Sequence, residues 1–147
     1  MLIRDIMTIY PVRVELSSTM RRAAEIISLA EASDLMVVDE EKNFVGVLSE
    51  GDIIRAVLPN FDEIIAAGGS VVDAFAFFQR KGRELAGLPI APFVIRNAIV
   101  MKPDDDASIA ASIMAEKQIR RLPVVDGRKL VGTISRADIC RALVYGL

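Results

Sequence analysis

Two short segments carry the residues whose chemistry could matter: Gly46, Ser49 and Asp52, and Gly132, Ser135 and Asp138, both spaced Gly-x-x-Ser-x-x-Asp. An ionised aspartate only accepts hydrogen bonds, so it can take two from a cis-diol such as a ribose. A helix that starts at the serine offers free N–H groups and a positive dipole end, which suit an anion such as phosphate. Phosphate would avoid the carboxylate and need its own cation. Arg120, Arg121 and Arg136 could supply it in the second segment, since arginine binds phosphate in bidentate fashion. The same spacing has a second explanation. Ser-x-x-acid is also a capping box, in which the serine and the acid satisfy orphan helix amides. Spacing alone leaves both readings open.

Both segments sit inside a longer internal repeat. Gly46 to Val57 recurs as Gly132 to Leu143, with Gly, Ser, Asp, Ile, Arg and Ala identical at six of the twelve positions. Upstream, Val37-Val38-Asp39 matches Val124-Val125-Asp126, Ala23-Ala24 matches Ala110-Ala111, and Val12-Arg13-Val14 matches Ile99-Val100-Met101. A repeat that cannot bury its apolar face alone must pack against its copy, so two copies predict one pseudo-symmetric body with two equivalent clefts.

The elements that must position these residues follow from periodicity. In the first copy Val12 to Leu16 reads as a strand, and Ser18 as the cap of a helix carrying Met20, Ala23, Ala24, Ile27 and Ala30 on one face. Leu35 to Asp39 and Phe44 to Leu48 read as a hairpin about Glu40 to Asn43, followed by a helix from about Glu50 to Leu58. The second copy repeats the order. Ile99 to Met101 is its strand, Asp105 its helix cap, Leu122 to Asp126 and Leu130 to Ile134 its hairpin about Gly127, and Arg136 to Tyr145 its last helix. Each copy is thus β-α-β-β-α, with a lead-in turn at Ile3 to Met7. Between them lies an insert from Pro59 to Phe93, with a helix predicted over Val71 to Leu85. It holds Phe61, Phe75, Phe77, Phe78 and Phe93, five of the six phenylalanines. A helix apolar almost all round must be buried all round, against its own core or against a second subunit.

Composition excludes several function classes. At 147 residues and 52% apolar the chain suits one compact folded domain. It contains no histidine, which removes the commonest general base, the commonest metal ligand and every Ser-His or Cys-His arrangement. Its single cysteine, Cys140, excludes an intramolecular disulfide and a Cys-cluster zinc site, and its apolar neighbours predict a buried, inert thiol. Asp104-Asp105-Asp106 could bind a metal, but it stands at a helix start, where acids stabilise the dipole anyway. The expectation is therefore no catalysis and no metal. A net charge of −2 makes no case for nucleic acid, despite Arg21-Arg22 and Arg120-Arg121. No apolar run is long enough to span a bilayer, and the start lacks a signal-peptide layout, so a cytoplasmic protein without membrane attachment is expected.

The chain resembles a tandem pair of CBS domains (cystathionine-β-synthase domains), also called a Bateman module. The residues that carry the resemblance are Arg4-Asp5-Ile6-Met7, Ile119 to Asp126, and both Gly-x-x-Ser-x-x-Asp segments, together covering about residues 3–58 and 94–145. It implies an α/β (α+β) fold in which two units, 1–58 and 94–147, pack sheet to sheet with the helical insert 59–93 between them. It implies a regulatory module rather than an enzyme. Its ligand would be AMP, ADP or ATP, with S-adenosylmethionine less favoured, and it would act as a homodimer on a protein target the sequence does not name. Carried over by position, Asp52 and Asp138 would hold ribose hydroxyls, and Ser49 and Ser135 would touch ribose or phosphate. Thr133, Arg136, Arg120 and Arg121 would line the phosphate side. The adenine would lie near Val12, Ile99 and Leu122, with Val47 contributing in the first cleft.

The copies are not equal. Where the second has Arg120-Arg121-Leu122-Pro123, the first has Ser33-Asp34-Leu35-Met36, which predicts one good nucleotide site and one weak or empty one. The alternative is a ligand-free structural or dimerisation module in which both acids only cap helices.

Overall fold

The computed structural model describes residues 1–57, 63, 66 and 68–146. The predicted insert start at Pro59, Phe61 and the expected helix end at Leu58 lie outside them. The elements are α1 (Ile3–Ile6), β1 (Arg13–Glu15), α2 (Met20–Ala30), β2 (Asp34–Val38), β3 (Phe44–Ser49), α3 (Glu50–Val57) and α4 (Val71–Ala86). After a 3-10 turn at Ala91–Phe93 come α5 (Ala107–Lys117), β4 (Arg121–Asp126), β5 (Lys129–Ser135) and α6 (Arg136–Tyr145). The mixed α/β fold of two repeated units is the one the sequence predicts. Unit 1 denotes the β1-to-α3 copy and unit 2 the copy ending in α6.

In unit 1, β1 runs parallel to β2 with Val14 opposite Val37, and β2 pairs antiparallel with β3 with Leu35 opposite Leu48. In unit 2, β4 and β5 form the matching hairpin with Leu122 opposite Ile134. Both hairpins slip register at the same place, between Val37 and Val38 and between Val124 and Val125. The strand expected over Ile99 to Met101 shrinks to a single parallel bridge between Met101 and Val124. Two helix caps fall one residue later than expected: Thr19 rather than Ser18, and Asp106 rather than Asp105. The Asp105 carboxylate instead accepts from the Lys102 amide at 2.8 Å, closing the turn before the helix.

The lead-in segments are exchanged. Thr8, which precedes unit 1, bridges antiparallel to Thr133 of unit 2, and Ile95, which precedes unit 2, bridges to Val47 of unit 1. The cores follow the exchange. Ile3 and Ile6 of α1 are buried with Met101, Leu122 and Ile134, while Ile90 and Val94 are buried with Val14, Leu35 and Leu48. Burying side chains of this size contributes about 1.5–3 kcal/mol each, so each unit holds the other's leader tightly. A third cluster, Met36, Val38 and Leu130 with Phe44 and Val47, joins the two sheets.

Helix α4 corrects one expectation. It opens on a capping box between Ser70 and Asp73 and buries Leu85, yet Phe75 is 63% exposed. Charged residues from Arg80 to Glu84 give it a wet face that a count of phenylalanines hides, and Arg80 and Lys81 lie 5.5 and 5.6 Å from the Phe77 ring. Cys140 also departs from expectation, being exposed. Helix α6 turns Asp138 and Ala142 inward, four residues apart, and Cys140 falls between them on the outer side.

Candidate functional site

Each hairpin ends on a serine that starts a helix. Ser135 caps α6: its Oγ accepts from the Asp138 amide at 3.1 Å and donates to Asp138 Oδ2 at 2.7 Å, and its own amide donates to that oxygen at 2.8 Å. Ser49 and Asp52 repeat the arrangement at 3.1, 2.8 and 2.9 Å. The capping box is therefore formed in both units. It occupies Oδ2 of each aspartate and leaves Oδ1 for another partner.

Around Oδ1 the units differ. In unit 2, Thr8 Oγ1 donates to Asp138 Oδ1 at 3.2 Å, and Asp138 is buried. Arg141, three residues on, stays 3.7 Å from Oδ1 and donates instead to the Ile6 carbonyl at 3.0 Å. In unit 1, the position of Thr8 is taken by Ile95, which has no hydroxyl. There Arg55, the counterpart of Arg141, donates to Asp52 Oδ1 at 2.8 Å. Partial burial works to raise the Asp52 carboxyl. Hydrogen bonds from the Ser49 amide and hydroxyl and from Arg55, with the Arg55 charge, more than offset this and hold it below the ordinary carboxylate value.

The two neighbouring arginines separate. Arg121 Nη1 donates to the buried Thr133 Oγ1 at 2.7 Å and lines a cavity of about 240 Å³ with Thr8, Tyr10, Val12, Glu31 and Asp34. Arg120 lines a wider one of about 510 Å³ with Ser49, Gly51, Arg55 and Asp34. Adjacent residues at a strand start point to different sides, and these two guanidinia line different ones of the two cavities. Arg120, Arg121 and Arg136 meet beside Ser135 in a third cavity, of about 280 Å³, between the clefts. Arg136 is already engaged there: it donates to the carbonyls of Ile119 at 3.1 Å and Met114 at 2.9 Å, closing the end of α5.

The apolar candidates divide as well. Val12 lines the Thr8 cavity, with its carbonyl accepting from the Met36 amide at 3.1 Å. Val47 exchanges backbone hydrogen bonds of 3.0 and 2.9 Å with Ile95. Ile99 packs, half-buried, against the unit 2 core. Leu122 is 1% exposed inside that core, so its side chain does not face a cleft. Thr8, Glu31 and Arg55 were not singled out from the sequence. For Thr8 the signal was its place directly after the Arg4-to-Met7 lead-in. Arg55 had one too, since it repeats as Arg141.

The acid run has local employment. Asp106 accepts from the Ser108 hydroxyl and amide at 2.6 and 2.9 Å, and Asp104 pairs with Arg4. Among the described residues, no group of three or more His, Cys, Asp or Glu side chains is placed to hold a metal ion, and no helix is long and apolar enough to cross a membrane.

Comparison with known proteins adds the following. The CBS domain family model matches residues 3–59 and 90–145. Protein MJ1426 of Methanocaldococcus jannaschii is 26% identical over 155 residues, covering 98% of this chain and 92% of its own length. The chain spans much less of two other relatives from that organism, 31% of MJ1404 and 42% of MJ1225. Among solved structures, CBSX2 in complex with AMP superposes with a TM-score of 0.75 at 24% identity, over 98% of this chain and 96% of that one. A CBSX2 of Arabidopsis thaliana is 26% identical over 135 residues, covering 88% of this chain and 57% of its own length. The CBS domain pair of protein MJ0100, in complex with 5′-methylthioadenosine and S-adenosyl-L-methionine, superposes at 0.69 and 24% identity, over 100% of this chain and 98% of that one. At these identities the structural likeness is one of fold.

Proposed function

The chain belongs to the CBS domain family, and from that premise we propose that it is a regulatory module that binds an adenosine-containing ligand, AMP first, and transmits its presence to a partner protein. The observation that carries this reading is the polar cluster where the units meet: Thr8 on Asp138 at 3.2 Å and Arg121 on Thr133 at 2.7 Å, beside an open cavity. A ribose entering there would find the Thr8 hydroxyl free to rotate towards it and Asp138 Oδ1 ready to accept. Arg121 and Arg120 would stand on the phosphate side. Ligand would tie the leader of one unit to the helix start of the other and so tighten the pair. Its regulatory reach is limited to its differential affinity for the tight and loose states. Exposed Leu143, Val144 and Tyr145 at the end of α6 support pairing with a second copy as a homodimer.

A second ligand reading is favoured by one feature. Glu31 and Asp34 line the same cavity as Arg121, and two carboxylates suit a ligand carrying positive charge, such as S-adenosylmethionine, better than a polyphosphate.

Thermal unfolding with AMP, ADP, ATP, S-adenosylmethionine and GTP, each at about 1 mM, tests both readings. A ligand with Kd near 10 μM adds about 2.7 kcal/mol, a midpoint shift of several degrees. A shift with adenosine compounds that falls away in Asp138→Asn supports the sensor, because the asparagine side-chain oxygen can still accept from the Ser135 amide and hydroxyl and keep the capping box. No shift with any of them, from protein shown to carry no co-purified ligand, leaves the structural module.

A further inference from the structure

The unit 1 cleft holds in hydrogen-bond contact an arginine–aspartate pair that unit 2 keeps only at 3.7 Å. The Arg55 guanidinium folds back along α3, with Nη2 2.8 Å from Asp52 Oδ1, on the side left open by the Ser49 capping box. The fold-back runs over Gly51: a Cβ at that position would lie 3.1 Å from Arg55 Nη1 and 3.4 Å from Nη2. That is tighter than most Cβ contacts, so a side chain at residue 51 would press the guanidinium aside by a few tenths of an ångström. In unit 2 the equivalent position is Ala137, and there the equivalent Arg141 has swung to the Ile6 carbonyl, 3.7 Å from its aspartate. One methyl group, present in one copy and missing from the other, accompanies the two arginine poses.

We propose that Arg55 is a built-in competitor for Asp52, seated by the missing side chain at Gly51, so that a ribose entering the unit 1 cleft must displace it. This rests on the sensor reading above and adds to it a cause for unequal clefts. Arg55 is 69% exposed and Asp52 19% exposed at their side chains, so the pair is a weak latch rather than a lock. Exposed ion pairs of this kind correspond to about a two- to fivefold effect on a competing ligand. The cleft is therefore attenuated, not closed.

Two substitutions release the latch by different routes. Arg55→Met removes the guanidinium and keeps the apolar stem. Gly51→Ala keeps the arginine and fills its seat; the clash falls on the far end of a flexible side chain, and alanine suits a helix better than glycine, so the variant folds. The first readout needs no ligand. Carboxyl carbon NMR should show Asp52 titrating at higher pH in both variants than in the otherwise native protein. The second readout is equilibrium dialysis with adenosine in an Asp138→Asn background, which leaves unit 1 to report alone. Adenosine is used because it has no phosphate for Arg55 to hold. Both variants should bind adenosine about two- to fivefold more tightly, and 2′,3′-dideoxyadenosine should show no such gain.

An unchanged Asp52 titration in Arg55→Met would mean that Arg55 does not sit on Asp52, and in Gly51→Ala that the missing side chain does not seat it; either result would end the proposal. A raised titration with adenosine binding unchanged or weakened would also overturn it, because the pair would then exist without competing. The sensor reading fails separately, if the native protein responds to no adenosine compound. In that case dialysis finds no binding in any variant and the competition falls with it, whatever the NMR shows.

Discussion

Asp52 and Asp138 stand at the same step of the same repeat, three residues after a capping serine, and their carboxylates are used differently. Asp138 is buried, and the leader of the other unit supplies its outer partner, Thr8. Asp52 is half-buried, and its outer partner is an arginine on its own helix. The first couples two parts of the chain far apart in sequence; the second satisfies itself within one turn. Duplication thus preserved the capping box, which is local and depends on two residues only. It let the outer oxygen diverge, because that partner comes from residues with no capping duty: Thr8 against Ile95, and Gly51 against Ala137.

The hardest test of this comparison falls on the exchanged leaders. A Cβ on Gly46 would lie 2.3 Å from the Ile95 carbonyl oxygen and 2.7 Å from Val94 Cγ1, whereas one on Gly132 would lie 2.6 Å from the Thr8 carbonyl oxygen and 3.1 Å from the flexible Met7 Sδ. The nearest obstacle in each case is backbone, so the leader itself must move. Gly46→Ala should cost about 3 kcal/mol and Gly132→Ala about 2, lowering the melting midpoint by roughly 5–10 °C. Gly132→Ala should also abolish any ligand-induced shift, since it pushes Thr8 off its strand partner. Equal losses with ligand response intact would break the comparison.

Next come the aspartates. Asp138→Ala removes the acid of a capping box and leaves the buried Ser135 and its neighbour Thr8 short of a partner, which together cost about 2–3 kcal/mol. Asp52→Ala loses the box acid from a wetter site, where water replaces the missing partner, and should cost about 1 kcal/mol. Urea unfolding measures both, and similar slopes for the two variants would show that only stability has changed.

The repeat, and with it the fold, could be read in the sequence because the markers of each unit are local: a glycine under a crossing chain, a capping serine and its acid. The errors are local too. Thr19 and Asp106 are equivalent positions, and each lies beside another good capping residue, so the two misplaced caps are one misreading made twice. Ile99 to Met101 has the composition of a strand, yet only Met101 reaches β4. The clefts were harder to read. Strand alternation would have separated Arg120 from Arg121, but which cleft each serves depends on how the leaders cross. The pose of Arg55 depends on empty space above a glycine, which no spacing rule records.

Acid provides a finer probe of the same asymmetry. The Asp52 carboxyl is held below its ordinary value in the folded protein. A depressed folded value means stability that is fully present above the unfolded value of about 3.9 and lost as pH falls through the folded value. The advantage of the native protein over Asp52→Asn should therefore be constant near neutrality and shrink below about pH 4. Taking the difference between the two proteins cancels Asp39 and Asp106, whose carboxyls are also held low. In Arg55→Met the shrinkage should be smaller, because part of what lowers Asp52 has gone. A gap that stays constant down to pH 3 would show that Arg55 and Ser49 do not hold the carboxylate in solution.

The smallest expected effect lies at the hairpin turns, where the units solve one problem in two ways. Unit 2 places Gly127 at φ 64°, and unit 1 places Lys42 at φ 68°, a conformation that side chains disfavour. Gly127→Ala should cost about 1 kcal/mol, since nothing else at that position favours the left-handed backbone. Lys42→Gly relieves similar strain, but it loosens the unfolded chain and loses the exposed contact from Lys42 to Glu15 at 3.2 Å, so its net effect should be under about 0.5 kcal/mol. What lets unit 1 keep a lysine there is Asp39. Its carboxylate accepts from the Glu41 and Asn43 amides, both at 2.9 Å, and from the Asn43 side chain at 3.1 Å, and so imposes the turn from outside the backbone. If Lys42→Gly were instead strongly stabilising, the strain at Lys42 would be uncompensated and Asp39 would not be shaping the turn.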